Sequence, residues 1–529
     1  MASAPPLFPL RGALGMSRRS FLVGSTSFAA AALLANRTFG TVTGSPRLPG
    51  YPFTLGIASG DPLPDGFVLW TRLAPRPVEV GGGMPAEPVE VRWEVAEDEA
   101  MRRLVQTGTA TASPSWAHSV HVEVAGLRPD RWYWYRFRVG GEASPVGRTR
   151  TLPAPDAVPE RLRFAFASCQ KYDTGFYTAY EHMAREDIDL VAHLGDYIYE
   201  KADAEDAVRR HGLPTSITLD DYRSRYAAYK SDPALQAMHA LVPWIVTWDD
   251  HEVTNDYAGP FTKNNLVPGP ARDQLLLRRA AGYQAYYEHM PLRLTARPSG
   301  PDMLLYRRLA FGRLANFHVL DTRQYRSHWL YGNGKDQPWD PAMLDPARSI
   351  LGDRQRDWLY RGLSQSPCEW NVLAQQVMMT RILQSNDTYM MDKWTGFEAE
   401  RRRTLDYLRT QKIRNPVVIT GDIHCNWANE LIEDVDRLDA PPVATEFAGT
   451  SITSGGDEDD TPPKGDRFYA ANPFVKFFNG QRGYVHCEVT PQAWRTDFRT
   501  LSYVSRPGAP LHTAASYLVE SGRPRLNRV

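Results

Sequence analysis

Cysteine is scarce in this chain, with Cys169, Cys368, Cys425 and Cys487 the only ones among 529 residues. They are too few and too scattered for a disulfide framework, and no CxxC pair is present. Net charge is missing as well. Lys and Arg number 61, as do Asp and Glu, so nothing electrostatic argues for nucleic acid or an anionic surface as partner. Long apolar runs are also lacking. The most extended, from Phe21 to Ala35, is too short and too weakly hydrophobic to anchor in a bilayer. No internal repeat or long low-complexity segment occurs, which excludes a solenoid. What is left is a length that suits two or three domains with large cores.

Ser17-Arg18-Arg19-Ser20-Phe21-Leu22 places adjacent arginines directly before that apolar run. This is the pattern of a twin-arginine export signal. Residues 1–43 are therefore expected to be a signal region, cleaved between Ala35 and Thr43. Met16 stands two positions before the first arginine, so residues 1–15 are an upstream extension or follow from a misassigned start. The pattern predicts the twin-arginine translocase as a partner and a periplasmic or secreted product with no transmembrane segment once the signal is removed. Passengers of that route cross folded, which suits a protein that loads metal beforehand.

Residues 50–153 read as an all-β sandwich. Phe67–Arg72, Val89–Val95, His121–Val124 and Trp132–Val139 are short runs with partial alternation. Leu127-Arg128-Pro129 ahead of alternating aromatics resembles the tyrosine-corner region of fibronectin type III domains. The module is expected to buttress its neighbour, with substrate binding the alternative. Pro153, Pro155 and Pro159 mark a linker. From 160 to 515 apolar strands alternate with helical stretches, an α/β pattern. Strands are expected at Ala240–Trp248, Ala315–Asp321, Glu369–Ala374, Pro416–Thr420 and Arg482–Val489. Gly455 to Lys464 is acidic and rich in Pro and Gly, the composition of a flexible surface loop.

The candidate chemistry sits where strands end. Phe164–Cys169, a helical stretch from Phe176 to Arg185, and Val191–Glu200 form a βαβ unit, whose strand ends share one sheet edge. Cys169, Asp196 and Tyr199 would meet there, and a thiolate, a carboxylate and a phenolate together suit a ferric ion. Singly, such a Cys is ordinarily buried apolar filling and such an Asp a turn residue. Their pairing across one unit favours a site. Ile245-Val246-Thr247-Trp248 runs into Asp249-Asp250-His251-Glu252, followed by Asn255 and Asp256. Ionisable groups there are costly unless compensated, and a solvated loop explains them equally well. Val417–Thr420 ends in Gly421-Asp422-Ile423-His424, which alone fits zinc, calcium or an ordinary buried histidine. Cys425 should point away, into a core. Arg323 could grip a phosphate in bidentate fashion or make a surface ion pair. Gln375 and Gln376 need buried partners, and one of them is expected to support the site.

In that order, GD-x-x-Y, DDHE-x-x-N and GD-x-H resemble the phrases of calcineurin-like and purple acid phosphatase metallophosphoesterases. More closely, the chain is similar to PhoD-type alkaline phosphatases and phosphodiesterases. The similarity rests on Tyr51–Pro62, Ser168-Cys169-Gln170, Gly195–Glu200, Trp248–Glu252, Leu320–Arg326, Gly421–His424 and Gly449–Gly456. It implies a four-layer α/β/β/α catalytic domain behind the sandwich, and Fe(3+) with Ca(2+) as cofactors. It carries Cys169, Asp196 and Tyr199 over as iron ligands, with Asp196 bridging to calcium. Asn255 and Asp422 go to calcium, and His424 to the same centre. Asp250 and His251 are implied as supporting groups or a proton donor. The implied activity is hydrolysis of phosphomonoesters, and by extension phosphodiesters, by a metal-bound hydroxide at alkaline pH. Ser168-Cys169-Gln170 departs from the wider group, whose first motif is an Asp-containing turn. One rival is a phospholipase D-like or teichoic-acid phosphodiesterase on the same centre. Another is a secreted, non-catalytic binding protein on a decayed hydrolase scaffold.

Overall fold

The computed structural model describes residues 48–529 except 263–268, 333, 436, 438–439 and 460–465. The expected signal region and half of the expected loop, residues 460–464, lie outside the described residues. Eight strands open the described chain: β1 Ile57–Leu63, β2 Gly66–Arg72, β3 Val89–Ala96, β4 Leu104–Ala112, β5 Ser119–Val124, β6 Trp132–Val139, β7 Glu142–Ala143 and β8 Gly147–Arg150. β1, β2 and β5 form one face of a sandwich, and β4, β3, β6, β7 and β8 the other. Phe67, Leu69, Val122 and Val124 pack across the gap against Val91, Val95, Tyr135 and Phe137. The alternation of β6, with every second residue buried, places those side chains on the inner face. The tyrosine corner forms, because the Arg128 N–H donates to the Tyr133 hydroxyl at 3.1 Å.

The remaining strands are β9 Leu162–Ala167, β10 Leu190–Leu194, β11 Trp244–Thr247, β12 Arg307–Phe311, β13 Ala315–Val319, β14 Trp370–Ala374, β15 Pro416–Thr420, β16 Asn426–Leu431, β17 Ala444–Ala448, β18 Val475–Asn479, β19 Gly483–Val489, β20 Ala493–Leu501, β21 Leu511–Glu520 and β22 Arg523–Arg528. β9, β10 and β11 run parallel in one sheet, and β13, β14, β15 and β17 run parallel in a second, seven-stranded sheet. Period-2 geometry divides each central strand between two cores. Phe164 and Phe166 point between the sheets, where they meet Phe317, Val372 and Ile419. Ala165 and Ala167 point the other way, into a core with residues of the helices Thr178–Met183, Leu219–Lys230, Pro233–Leu241 and Pro270–His289. Leu373 and Val418 leave the second sheet toward the helices Gly352–Ser364 and Glu398–Thr410. The layers are thus helix, sheet, sheet, helix, as expected.

Three sequence expectations shift. The strand expected at Ala240–Trp248 begins only at Trp244, because Ala240 and Leu241 close a helix. Asp232 caps that helix through the N–H groups of Ala234 and Leu235, and Pro233 opens it, a start signal strong enough to claim the residues behind it. The β-module does not keep its sheets to itself. β1 pairs in parallel with β11 at Gly60 and Trp244, so β1, β2 and β5 extend the sheet of β9, β10 and β11 to ten strands. Residue 515 falls inside β21, and that sheet continues through β22 to Arg528. Among the described residues no helix is long and apolar enough to cross a membrane.

Candidate metal centre

The candidate residues follow the carboxyl ends of parallel strands, and the two sheets bring those ends to one rim. Cys169 follows β9, Asp196 β10, Asp249 to Glu252 β11, Arg323 β13, and Asp422 and His424 β15. The rim is stitched across the sheets, as the Ile452 N–H donates to the Ser168 carbonyl at 3.0 Å. Cys169, Asp196, Asp422 and His424 all have left-handed backbones, with φ of 57°, 54°, 62° and 57°. Such conformations are costly for residues with a side chain and persist only where surroundings enforce them. Gly195, at φ 110°, leaves the space the turn needs. A Cβ there would lie 2.5 Å from that of Asp249, so the two loops abut.

Ligand-type atoms of Cys169, Asp196 and His424 lie within 4.8 Å of one another. The Tyr199 hydroxyl donates to Asp196 Oδ2 at 2.9 Å and lies 3.1 Å from His424 Nε2. A thiol, a phenol, a carboxylate and an imidazole therefore share one point. Two further groups meet the same limit of 4.8 Å: Asp196 with Asp250 and His251, and Asp249 with Asp250 and Asp422. Asp196 belongs to the first two groups and Asp250 to the last two, the arrangement that bridging carboxylates require. Asp249 Oδ2 is buried with no hydrogen-bond partner. An orphaned carboxylate oxygen facing other carboxylates fits a bound cation. The donor set fits the implied ions: soft and phenolic ligands at one end, oxygen ligands at the other. Asn255 lies on the Asp250 side. Its N–H donates to Glu200 Oε1 at 3.1 Å and its amide to Asp256 Oδ2 at 2.6 Å, and the Asp256 N–H binds Asp250.

The electrostatics are those of anions crowded away from water. Burial, reinforced by Asp196, pushes the Cys169 thiol well above its ordinary range, and burial with Asp196 does the same to Tyr199. Burial and the neighbouring Asp250 push Asp196 up as well. Burial raises Asp249 to about 6 against the pull of Arg323. Cation binding relieves such groups by replacing their protons. Burial, aided by Arg482, lowers His424 to about 3, which keeps its imidazole neutral and able to ligate. Burial disfavours charge on His251, but Asp250, Glu200 and Asp196 outweigh it and carry its pKa to about 10.

Arg323 departs from expectation. It has no exposed surface, and its guanidinium is held by Asp249, by Asp392 at 2.8 Å and by Asp422 at 3.4 Å. It is a hub that orients carboxylates, and the expected grip on phosphate has no free face from which to act. Cys425 is half-buried and packs against the edge of a hydrophobic cluster that includes Trp427 and Phe468, with Trp427 Nε1 donating to its Sγ at 3.1 Å. Gln376 fulfils the expected supporting role, because its Oε1 accepts from the Thr322 N–H at 3.0 Å and its Nε2 donates to Thr247 at 2.8 Å. Sequence reasoning assigned no role to Glu200, which meets His251 Nδ1 at 2.6 Å, although it adjoins GD-x-x-Y. It also passed over Glu252, the Lys393 that pairs with Asp422, and the Arg482 that binds the His424 carbonyl. Lys393 and Arg482 belong to no strand-end motif that could have flagged them.

The sequence profile described as PhoD-like phosphatase matches residues 164–498, and that of the PhoD-like phosphatase N-terminal domain matches residues 40–153. The chain is 48% identical to alkaline phosphatase D of Bacillus subtilis (strain 168) over 526 residues, 97% of this chain and 89% of that protein. A solved structure of PhoD superposes with a TM-score of 0.88 at 49% identity, covering 92% of this chain and 93% of that one.

Proposed function

The chain belongs to the PhoD-like phosphatase family and is a phosphoric ester hydrolase, and from that premise we propose an exported alkaline phosphatase built on a mixed iron and calcium centre. The observation that carries this reading is the convergence of Cys169, Tyr199, Asp196 and His424 on one point, with an all-carboxylate group beside it. Cys169, Tyr199, Asp196 and His424 would hold the ferric ion, and Asp196 would extend to calcium. Asp249, Asp250, Asn255 and Asp422 offer oxygen donors for calcium. When bound, the ions supply Lewis acidity at the phosphoryl oxygens and lower the pKa of attacking water.

The chain's own residues set the geometry. Arg323 fixes Asp249 and Asp422, and Glu200 holds His251 through Nδ1. That leaves His251 Nε2 to keep a proton for the departing oxygen. Neither role depends on whether the phosphate carries one ester or two, so diesters are included in the proposal. The intact ligand types at every strand end speak against a decayed scaffold. The test is turnover of a phosphomonoester and a phosphodiester by purified protein, with iron and calcium measured in the same sample. Hydrolysis accompanied by both ions is expected; full activity in protein free of either ion contradicts the reading. A strict preference for diesters would shift the assignment to the phospholipase- or teichoic-acid-type reaction. Export is tested by replacing Arg18 and Arg19 with Lys, which should hold the protein in the cytoplasm. Undiminished export of that variant overturns this part.

A further inference from the structure

Glu252 is fully buried, and among the described residues no cation pairs with it. A carboxylate in such a place is expensive unless its oxygens are satisfied. They are satisfied by backbone alone. Oε1 accepts the Tyr197 N–H at 2.6 Å, and Oε2 accepts the Asp196 N–H at 3.2 Å and the Asp249 N–H at 2.9 Å. These donors sit just past β10 and β11, where no ladder partner remains for them. One side chain therefore joins the loop that carries Asp196 and Tyr199 to the loop that carries Asp249 and Asp250. The joint is itself anchored. The helix Pro270–His289 crosses so close that a Cβ on Gly282 would lie 2.5 Å from the Glu252 carbonyl oxygen.

From this geometry we propose that Glu252 is a positioning residue that fixes the distance between the two candidate ion positions by tying their loops together. The proposal rests on the metal-centre reading for its functional meaning but not for its geometry. Asp196 serves both positions, and its left-handed backbone is held from two sides: the Gln170 N–H donates to its carbonyl at 3.1 Å, and the tie holds its amide. A glutamine at this position keeps the shape and one good acceptor. It turns an N–H₂ group toward backbone donors, so at least one of the three bonds is lost. An aspartate keeps the charge but falls short by one methylene.

Two measurements test the tie. In the wild-type protein, hydrogen exchange read by mass spectrometry should show the Asp196, Tyr197 and Asp249 amides protected to the level of strand interiors, although they lie in loops. Exchange at loop rates overturns the proposal whatever the metal content. In Glu252→Gln, titration with iron and calcium should show affinity falling about 10–100-fold, the usual cost of losing a group that orients a ligand. Melting temperature should change little, and faster exchange should be confined to those amides. Glu252→Asp should recover part of the affinity. A Glu252→Gln protein with wild-type exchange and wild-type metal affinity contradicts the assignment. A wild type that binds no metal but protects the three amides retains the tie and removes only the metal reading.

Discussion

Tyr199 and Cys169 differ from the other candidate ligands in what they do to a ferric ion once deprotonated. A phenolate and a thiolate both donate charge into the metal and give it visible colour, which carboxylates and imidazole do not. Tyr199→Phe and Cys169→Ser should each shift or abolish an absorption band in the visible range and lower iron content more than about tenfold. A colourless wild type, or variants with an unchanged spectrum, would contradict their assignment. These residues could be read from sequence because each lies a fixed step past an apolar strand. Arg323 could not, because its role depends on Asp249, 74 positions away, and on Asp392, 69 positions away. An isolated arginine past a strand suggests an open phosphate grip. Only the packed structure shows that carboxylates already occupy every face of it.

At the scale of elements, the centre is a set of tight turns placed after parallel strands. Gly195 shows how little room they have. Gly195→Ala should force the Asp196 loop away from Asp249, since the added carbon would lie 2.5 Å from the Asp249 Cβ at a φ of 110°. Strain of this kind costs about 1–3 kcal/mol, and metal affinity should fall with it. Metal titration and thermal melting of the variant check this, and a protein with unchanged values for both would mean that the loops yield freely. The strands themselves were legible. β15 coincides with the run Pro416–Thr420, and β9, β13, β14 and β19 lie within two residues of their expected limits, whereas β10 starts one residue before Val191 and already ends at Leu194, where the turn to Asp196 begins. The helix that takes Ala240 and Leu241 was legible only through its start signal at Asp232-Pro233. The pairing of β1 with β11 had no local signal, because sheet continuity between modules is a long-range contact that periodicity does not carry.

At the scale of the whole molecule, the β-module and the catalytic layers share one sheet, and the buried interior contains many neutral histidines. An unfolded histidine takes up a proton near pH 6.5. Burial holds His121 to about 4, and His193 and His318 to about 3. It pushes His239 and His289 well below the ordinary value. Above pH 6.5 these rings are neutral in both states and do not affect the balance. As pH falls from 6.5 toward 4, the unfolded chain binds protons that the fold refuses, so stability is lost on the acid side. The melting temperature should drop by roughly 5 °C or more between pH 7 and pH 4.5, with or without chelator. A flat profile across that window would contradict the buried neutral state of these rings.

The proposed division of the centre between a firmly held ferric ion and more exchangeable calcium is tested most directly by a chelator titration. EGTA is added stepwise to purified protein while activity, visible absorbance and metal content are read from the same samples. Calcium held by oxygen donors exchanges more readily than an ion held by thiolate and phenolate. Activity and calcium should therefore disappear together while the colour and iron remain, and added calcium should restore turnover where zinc does not do so fully. Parallel loss of colour and activity, or no recovery with calcium, would contradict the arrangement of ligands described for this centre.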